Sequence, residues 1–116
     1  MPNRRKYIRI PVTILVDLYP SDSLAKKGRG CIVDLSLGGM AIETEAELEL
    51  NSEIFMRINL PTDGGQTIFD VFANVIRKQD MGNIFHYGVK YTRINFFEKL
   101  KLRSFIKRWI KKHKER

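Results

Sequence analysis

Two short stretches hold the residues best suited to chemistry. MPNRRKYIRIPV carries Arg4, Arg5 and Arg9 directly ahead of a strand-like run, and DLSLGG carries Asp34, Ser36, Gly38 and Gly39. A guanidinium is a planar fork that stays charged at any cellular pH and matches anionic oxygens in pairs. Three of them together fit an anion site or a solvated basic tail. Asp and Ser bond nearby backbone amides, and Gly accepts positive φ, so DLSLGG alone reads as a turn. Two spacings stand out: RxxxR for Arg5 and Arg9, and DxSxxG for Asp34, Ser36 and Gly39.

The elements that must position these residues are mostly strands. Ile10, Val12, Ile14, Val16 and Leu18 alternate with less apolar residues, the pattern of a half-buried strand, and Pro11 suits its entry or an edge. SDSLAKKGRG reads as a loop. GCIVDLS and GMAIET read as two strands joined by a tight Gly-Gly turn. EIFMRINL alternates again, and PTDGGQ joins it to TIFDVFANVIR; KQDMGN then leads to IFHYGVKYTRI. Six short strands separated by turn signals, with no helix between them, predict an antiparallel barrel or sandwich.

At Asn95 the period changes. Phe96, Phe97, Leu100, Phe105, Ile106, Trp109 and Ile110 recur at helical spacing, with Asn95 as the cap and Glu98 placed as in a capping box. The spacing predicts a helix over 96–110, with Phe97, Leu100, Phe105, Ile106 and Trp109 in a packed interface. That interface is the barrel end, a second subunit in a homodimer, or an effector protein.

With 116 residues, 43% hydrophobic and 29% charged, the chain fits one soluble domain. Its lone Cys31 excludes an internal disulfide. Residues 10–18 are too short and too polar for a signal segment or a membrane span, which places the chain in the cytoplasm. The formal net charge of +8 favours an anionic partner. From Lys99 onward nine basic residues face Glu115 alone, so the charge is concentrated in the helix and the remainder is neutral overall.

Taken jointly, RRKYIRIPV, DLSLGGMAI, ANVIRK and HYGVKYTRI before a terminal helix make the chain resemble the PilZ domain family, whose members bind the bacterial second messenger cyclic di-GMP. The resemblance covers most of the chain. It implies one domain over 1–116: an arginine loop at 1–9, a six-stranded antiparallel β-barrel at 10–94 and a C-terminal basic amphipathic helix at 95–116. The fold class is therefore mostly β.

The resemblance implies ligand roles for Arg4, Arg5, Arg9, Asp34, Ser36, Gly38, Gly39 and Arg77. Arginine forks suit phosphate oxygens and guanine O6 and N7, and their flat faces stack on bases. In an extended segment the Cα atoms of Arg5 and Arg9 stand roughly 13 Å apart, so the loop must curl to bring both onto one ligand. Asp34 can accept the N1–H and N2–H of guanine, and Ser36 can donate or accept at a base or phosphate. Gly39 admits a base close to the backbone. Arg77 is expected over a guanine face, and Asn3 is a further polar contact. Arg4, ahead of the motif, implies a second, intercalated ligand molecule per chain. No output domain is visible, so such a receptor would signal to an effector protein.

Other residues carry less. His86 and His113 have no partner at metal-ligand spacing, and His86 falls on the outer barrel face. No Ser-His-Asp set, P-loop or carboxylate pair can be assembled, so the chain reads as a binding protein, not an enzyme, with neither cofactor nor metal. Two other readings compete. One is a basic barrel binding single-stranded nucleic acid on Phe69, Phe72, Phe85, Tyr87 and Tyr91. The other lays the basic helix on anionic lipid.

Overall fold

The computed structural model describes residues 7–22, 25 and 27–114. Six strands, β1 (Ile10–Pro20), β2 (Gly28–Leu35), β3 (Gly39–Thr44), β4 (Glu53–Thr62), β5 (Gly65–Asp80) and β6 (Phe85–Arg93), precede one helix, α1 (Phe96–Lys114). The strands close into a barrel in the order β1-β2-β3-β6-β5-β4, and every neighbouring pair is antiparallel. Of the barrel and the sandwich that the strand pattern predicts, the barrel is formed, with the six strands and C-terminal helix that the resemblance implies.

Alternation builds the core directly. Ile54, Met56, Ile58 and Leu60 of β4 point inward, as do Phe69, Val71, Ala73 and Val75 of β5, and all are essentially inaccessible. Pro11 sits at the start of β1, where β4 has not yet paired: the β1–β4 ladder begins only at Val16. Its missing N–H therefore costs no ladder bond. Tyr87 is fully buried, donates its hydroxyl to the Ala46 carbonyl at 3.1 Å and accepts the Leu48 N–H at 2.7 Å. This pins the β3–β4 connection.

Several boundaries differ from the expected ones. β2 begins at Gly28 and β5 continues to Asp80, so both hairpins are longer and the KQDMGN segment is partly strand. β2 and β3 are linked by Ser36–Gly38, with Ser36 N–H bonded to the Gly39 carbonyl at 2.9 Å. Neither Gly38 nor Gly39 has positive φ, so the tight Gly-Gly turn is not formed. These glycines answer to space. A Cβ on Gly39 would lie 2.2 Å from the Val89 carbonyl oxygen.

α1 packs against β1, β4 and β5. Leu102 and Ile106 join the same buried cluster as the barrel interior, with Phe105, Trp109 and Ile110 at its margin. The helix thus closes the core. Phe97 and Leu100 do not take part: they are 73% and 43% exposed, and Phe96 is 68% exposed. Asn95 caps the helix by accepting the Glu98 N–H at 2.9 Å. Glu98 does not reach back to complete a capping box. Its carboxylate accepts the Asp70 N–H at 2.6 Å and pairs with Lys101 at 2.7 Å, bracing the first helical turn against β5.

Candidate functional site

The site begins where β1 starts and β2 ends. The register Ile10↔Leu35 and Pro11↔Asp34 lays the residues before Ile10 alongside the turn after Leu35. Arg9 and Asp34, distant in sequence, come together this way, with Arg9 Nη1 3.8 Å from Asp34 Oδ2. The pair is loose and about one-third exposed on both sides. The other carboxylate oxygen, Asp34 Oδ1, is buried and has no hydrogen-bond donor among the described residues. A buried charged acceptor without a donor is costly and uncommon in a native fold.

Bulges aim these groups. Val33 is an extra residue in the β2–β3 ladder, between the pairs Ile32↔Ile42 and Asp34↔Ala41. It breaks strict alternation, so Val33 and Asp34 both leave the core side while Ile32 and Leu35 remain buried. Ile76 is the corresponding extra residue of β5, between Val75↔Val89 and Arg77↔Gly88.

Ser36 organises the turn. Its hydroxyl donates to the Gly39 carbonyl at 3.1 Å and accepts the N–H groups of Gly38 at 3.1 Å and Gly39 at 3.2 Å. One donor and two lone pairs are a hydroxyl's whole capacity. Tyr91 holds the turn from β6, donating its hydroxyl to the Ser36 carbonyl at 2.9 Å and its N–H to the Gly38 carbonyl at 3.2 Å. The Tyr91 ring is half-buried but its hydroxyl end is enclosed. Burial, and after it the nearby Asp34 charge, push the phenol well above its ordinary range. Tyr7 lies across the turn so closely that a Cβ on Gly38 would be 2.8 Å from its ring.

A shallow cavity of about 260 Å³ opens beside Arg9, lined by Tyr7, Arg9, Ser36, Gly38, Gly39, Ile76, Val89 and Lys90; Asp34 borders the turn but is not part of this lining. Lys90 and Ile76 are additions that the sequence reading did not single out. Lys90 pairs across to Gly39 in the β3–β6 ladder, so its outward position on β6 was available from alternation once that pairing was known. Arg77 takes no part in the lining. The bulge presents Ile76 instead, and the exposed Arg77 packs its guanidinium over Gly88, where a Cβ would meet Arg77 Nε at 2.8 Å. Arg4, Arg5 and Asn3 lie outside the described residues.

Residues 3–108 match the family model for the PilZ domain. The chain belongs to the PilZ domain family. The PilZ fold is also found in solved structures similar to it. The inhibitor of motility MotI/DgrA of Bacillus subtilis superposes with a TM-score of 0.77 at 20% identity, covering 96% of this chain and 54% of that one. The PilZ domain of YcgR from Escherichia coli, solved with c-di-GMP, gives 0.71 at 20% identity, covering 98% of this chain and all of that one. A larger YcgR structure in complex with c-di-GMP gives 0.78 at 22% identity over 97% of this chain and 49% of that one. This PilZ domain therefore spans about half the length of the longer relatives. No curated protein sequence matched it.

The aromatic platform that nucleic-acid binding would need is not assembled on this PilZ domain. Phe69 and Tyr87 are fully buried, the Tyr91 hydroxyl is enclosed, and the Phe72 ring is covered by the Arg93 guanidinium at 3.9 Å. Phe85 stacks on Tyr87 from within the fold. Among the described residues no group of three or more His, Cys, Asp and Glu is placed to hold a metal. His86 instead stands 3.2 Å from Glu43 on the barrel exterior.

Proposed function

We propose that this PilZ domain is a cyclic di-GMP receptor that works by binding and signals to a partner protein in the cytoplasm. The observation that carries this is Asp34 Oδ1, a buried acceptor without a donor among the described residues, at the turn beside Arg9. A guanine edge offers the N1–H and N2–H donors that such a carboxylate lacks. Arg9, held to Asp34 only at 3.8 Å, is able to turn to a phosphate or to guanine O6 and N7. Lys90 adds positive charge on the same cavity wall. A cavity of about 260 Å³ is smaller than the sites that enclose ligands of drug size. A dinucleotide with two guanines and two phosphates would therefore spread over the open surface beside Arg9. The structures of YcgR with c-di-GMP support the same reading from the side of the fold.

The test is a calorimetric titration at physiological salt with cyclic di-GMP, cyclic di-AMP and a single-stranded oligonucleotide. Saturable binding of cyclic di-GMP, weaker binding of the adenine analogue and loss of that preference in Asp34→Ala are expected. Binding that follows total charge, falls steeply with salt and ignores Asp34 would overturn the assignment.

A further inference from the structure

The cations of α1 from Lys99 to Lys112 divide into two sets. Those turned toward the barrel are satisfied: Lys101 by Glu98 at 2.7 Å and the Ile68 carbonyl at 2.9 Å, and Arg108 and Lys112 by Asp63 at 3.8 and 3.4 Å. Lys99, Arg103, Lys107 and Lys111 are exposed and have no acidic partner among the described residues. Arg103, Lys107 and Lys111 are four apart, so they form one stripe along the outward face. Toward the helix start the same face carries Phe96 and Leu100, with Phe97 beside them. All three are exposed although the core lies one helix-width away. The rings of Phe96 and Phe97 meet edge to face at 5.8 Å. Ile68 of β5, whose carbonyl accepts from Lys101 Nζ at 2.9 Å, is likewise 50% exposed.

We propose that this outward face of α1 is a docking surface for an anionic lipid bilayer. A convex helix side offers no enclosure for a small molecule. A protein partner would need carboxylates fixed opposite each unpaired cation, whereas lipid phosphates move to meet whatever spacing the helix presents. Lysines and arginines near an anionic leaflet are attracted to it, and phenylalanines beside them settle at the boundary between headgroups and acyl chains. The apolar residues cluster at the N-terminal end, so that end sits deeper and the basic stripe lies over the headgroups. Attachment is peripheral, since no helix of the described structure is long and apolar enough to cross a membrane. The proposal stands independently of the nucleotide reading, because no residue of the stripe lines the cavity beside Arg9 or pairs with Asp34.

Co-sedimentation of the full chain with vesicles tests it, comparing three parts phosphatidylcholine to one part phosphatidylglycerol against phosphatidylcholine alone, at physiological salt. Binding to the anionic vesicles only is expected. Arg103→Gln/Lys107→Gln/Lys111→Gln should weaken it on the order of 100-fold, and Phe96→Ser/Phe97→Ser should weaken it without changing charge. Circular dichroism confirms folding, which exposed positions should leave intact. A barrel control with the same loss of charge, Arg29→Gln/Arg57→Gln/Lys78→Gln, should retain binding. No binding to anionic vesicles, equal binding to both kinds, an unaffected helix triple variant or an equally impaired barrel control would each overturn the proposal. So would an oligonucleotide that displaces the protein from the vesicles.

Discussion

The Ser36 hydroxyl is fully occupied within its own turn, while two residues earlier Asp34 keeps a buried oxygen that no donor among the described residues reaches. The two substitutions should therefore separate. Ser36→Ala leaves the Gly38 and Gly39 amides without their acceptor and should lower stability by about 1–3 kcal/mol, read as a lower midpoint of denaturant unfolding. Asp34→Ala removes an uncompensated acceptor and should leave the midpoint nearly unchanged, while the preference for the guanine ligand over cyclic di-AMP disappears. A Ser36→Ala variant of wild-type stability would show that the turn does not depend on this hydroxyl. Arg9→Ala and Arg5→Ala should each weaken cyclic di-GMP binding by roughly 1.5–3 kcal/mol per charge-assisted bond lost; near-wild-type affinity in both would remove the basis of the site. Arg4 is proposed to serve a second ligand molecule. Two ligands bring four phosphates into a small volume, and a third guanidinium offsets their repulsion. Calorimetry should then give about two ligands per chain, falling toward one in Arg4→Leu. A value near one in the wild type, unchanged in that variant, would exclude the second molecule.

At the scale of elements, β6 is the support on which the turn rests. Gly39 of β3 sits where a Cβ would be 2.2 Å from the Val89 carbonyl oxygen of β6. Gly39→Ala must push two paired strands apart and should cost about 3 kcal/mol or more. Thermal unfolding reads this cost with no ligand present. Tyr91 contributes from the same strand, and its phenol is raised above the ordinary value of 10 in the fold. A group whose folded pKa is raised gives stability that is complete below the unfolded pKa and is lost as pH rises past it. The wild type should therefore lose stability above about pH 10, and Tyr91→Phe, less stable by about 1 kcal/mol at neutral pH, should lack this part of the alkaline slope. Equal slopes would deny Tyr91 that role. The strands themselves were legible, because inward residues recur every second position in β1, β4 and β5. The bulges were not. One extra residue leaves no mark in composition, so Val33 and Ile76 were invisible, and nothing in the sequence marked Ile76 rather than Arg77 as the β5 residue that lines the cavity. The glycines were legible as special positions, but the reason, close approach between strands and not positive φ, depends on pairings that no local pattern records.

At the scale of the whole molecule, the question is what the helix does for the barrel. Its sequence announces an amphipathic helix, yet apolar residues occupy more of the circumference than one interface can bury. Phe96, Phe97 and Leu100 were as eligible for the core as Ile106, and Leu102, which the apolar recurrence passed over, is the most buried residue of the helix. The choice is made by the exit from β6: Asn95 caps the helix and Glu98 accepts the Asp70 N–H of β5, which fixes the rotation that turns Leu102 and Ile106 inward. If that rotation is what completes the core, removing residues 95–116 should uncover barrel interior and make the truncated chain aggregate. A gentler variant asks the same question without truncation. Leu102→Ala leaves the helix and all its charges in place but opens a cavity where the side chain is wholly buried, and should cost about 2–5 kcal/mol. Leu100→Ala, two residues away on the exposed side, should cost far less. Denaturant unfolding of the two variants side by side decides the matter: equal costs, or a truncated domain that stays monomeric and as stable as the full chain, would mean that the barrel closes its core without α1.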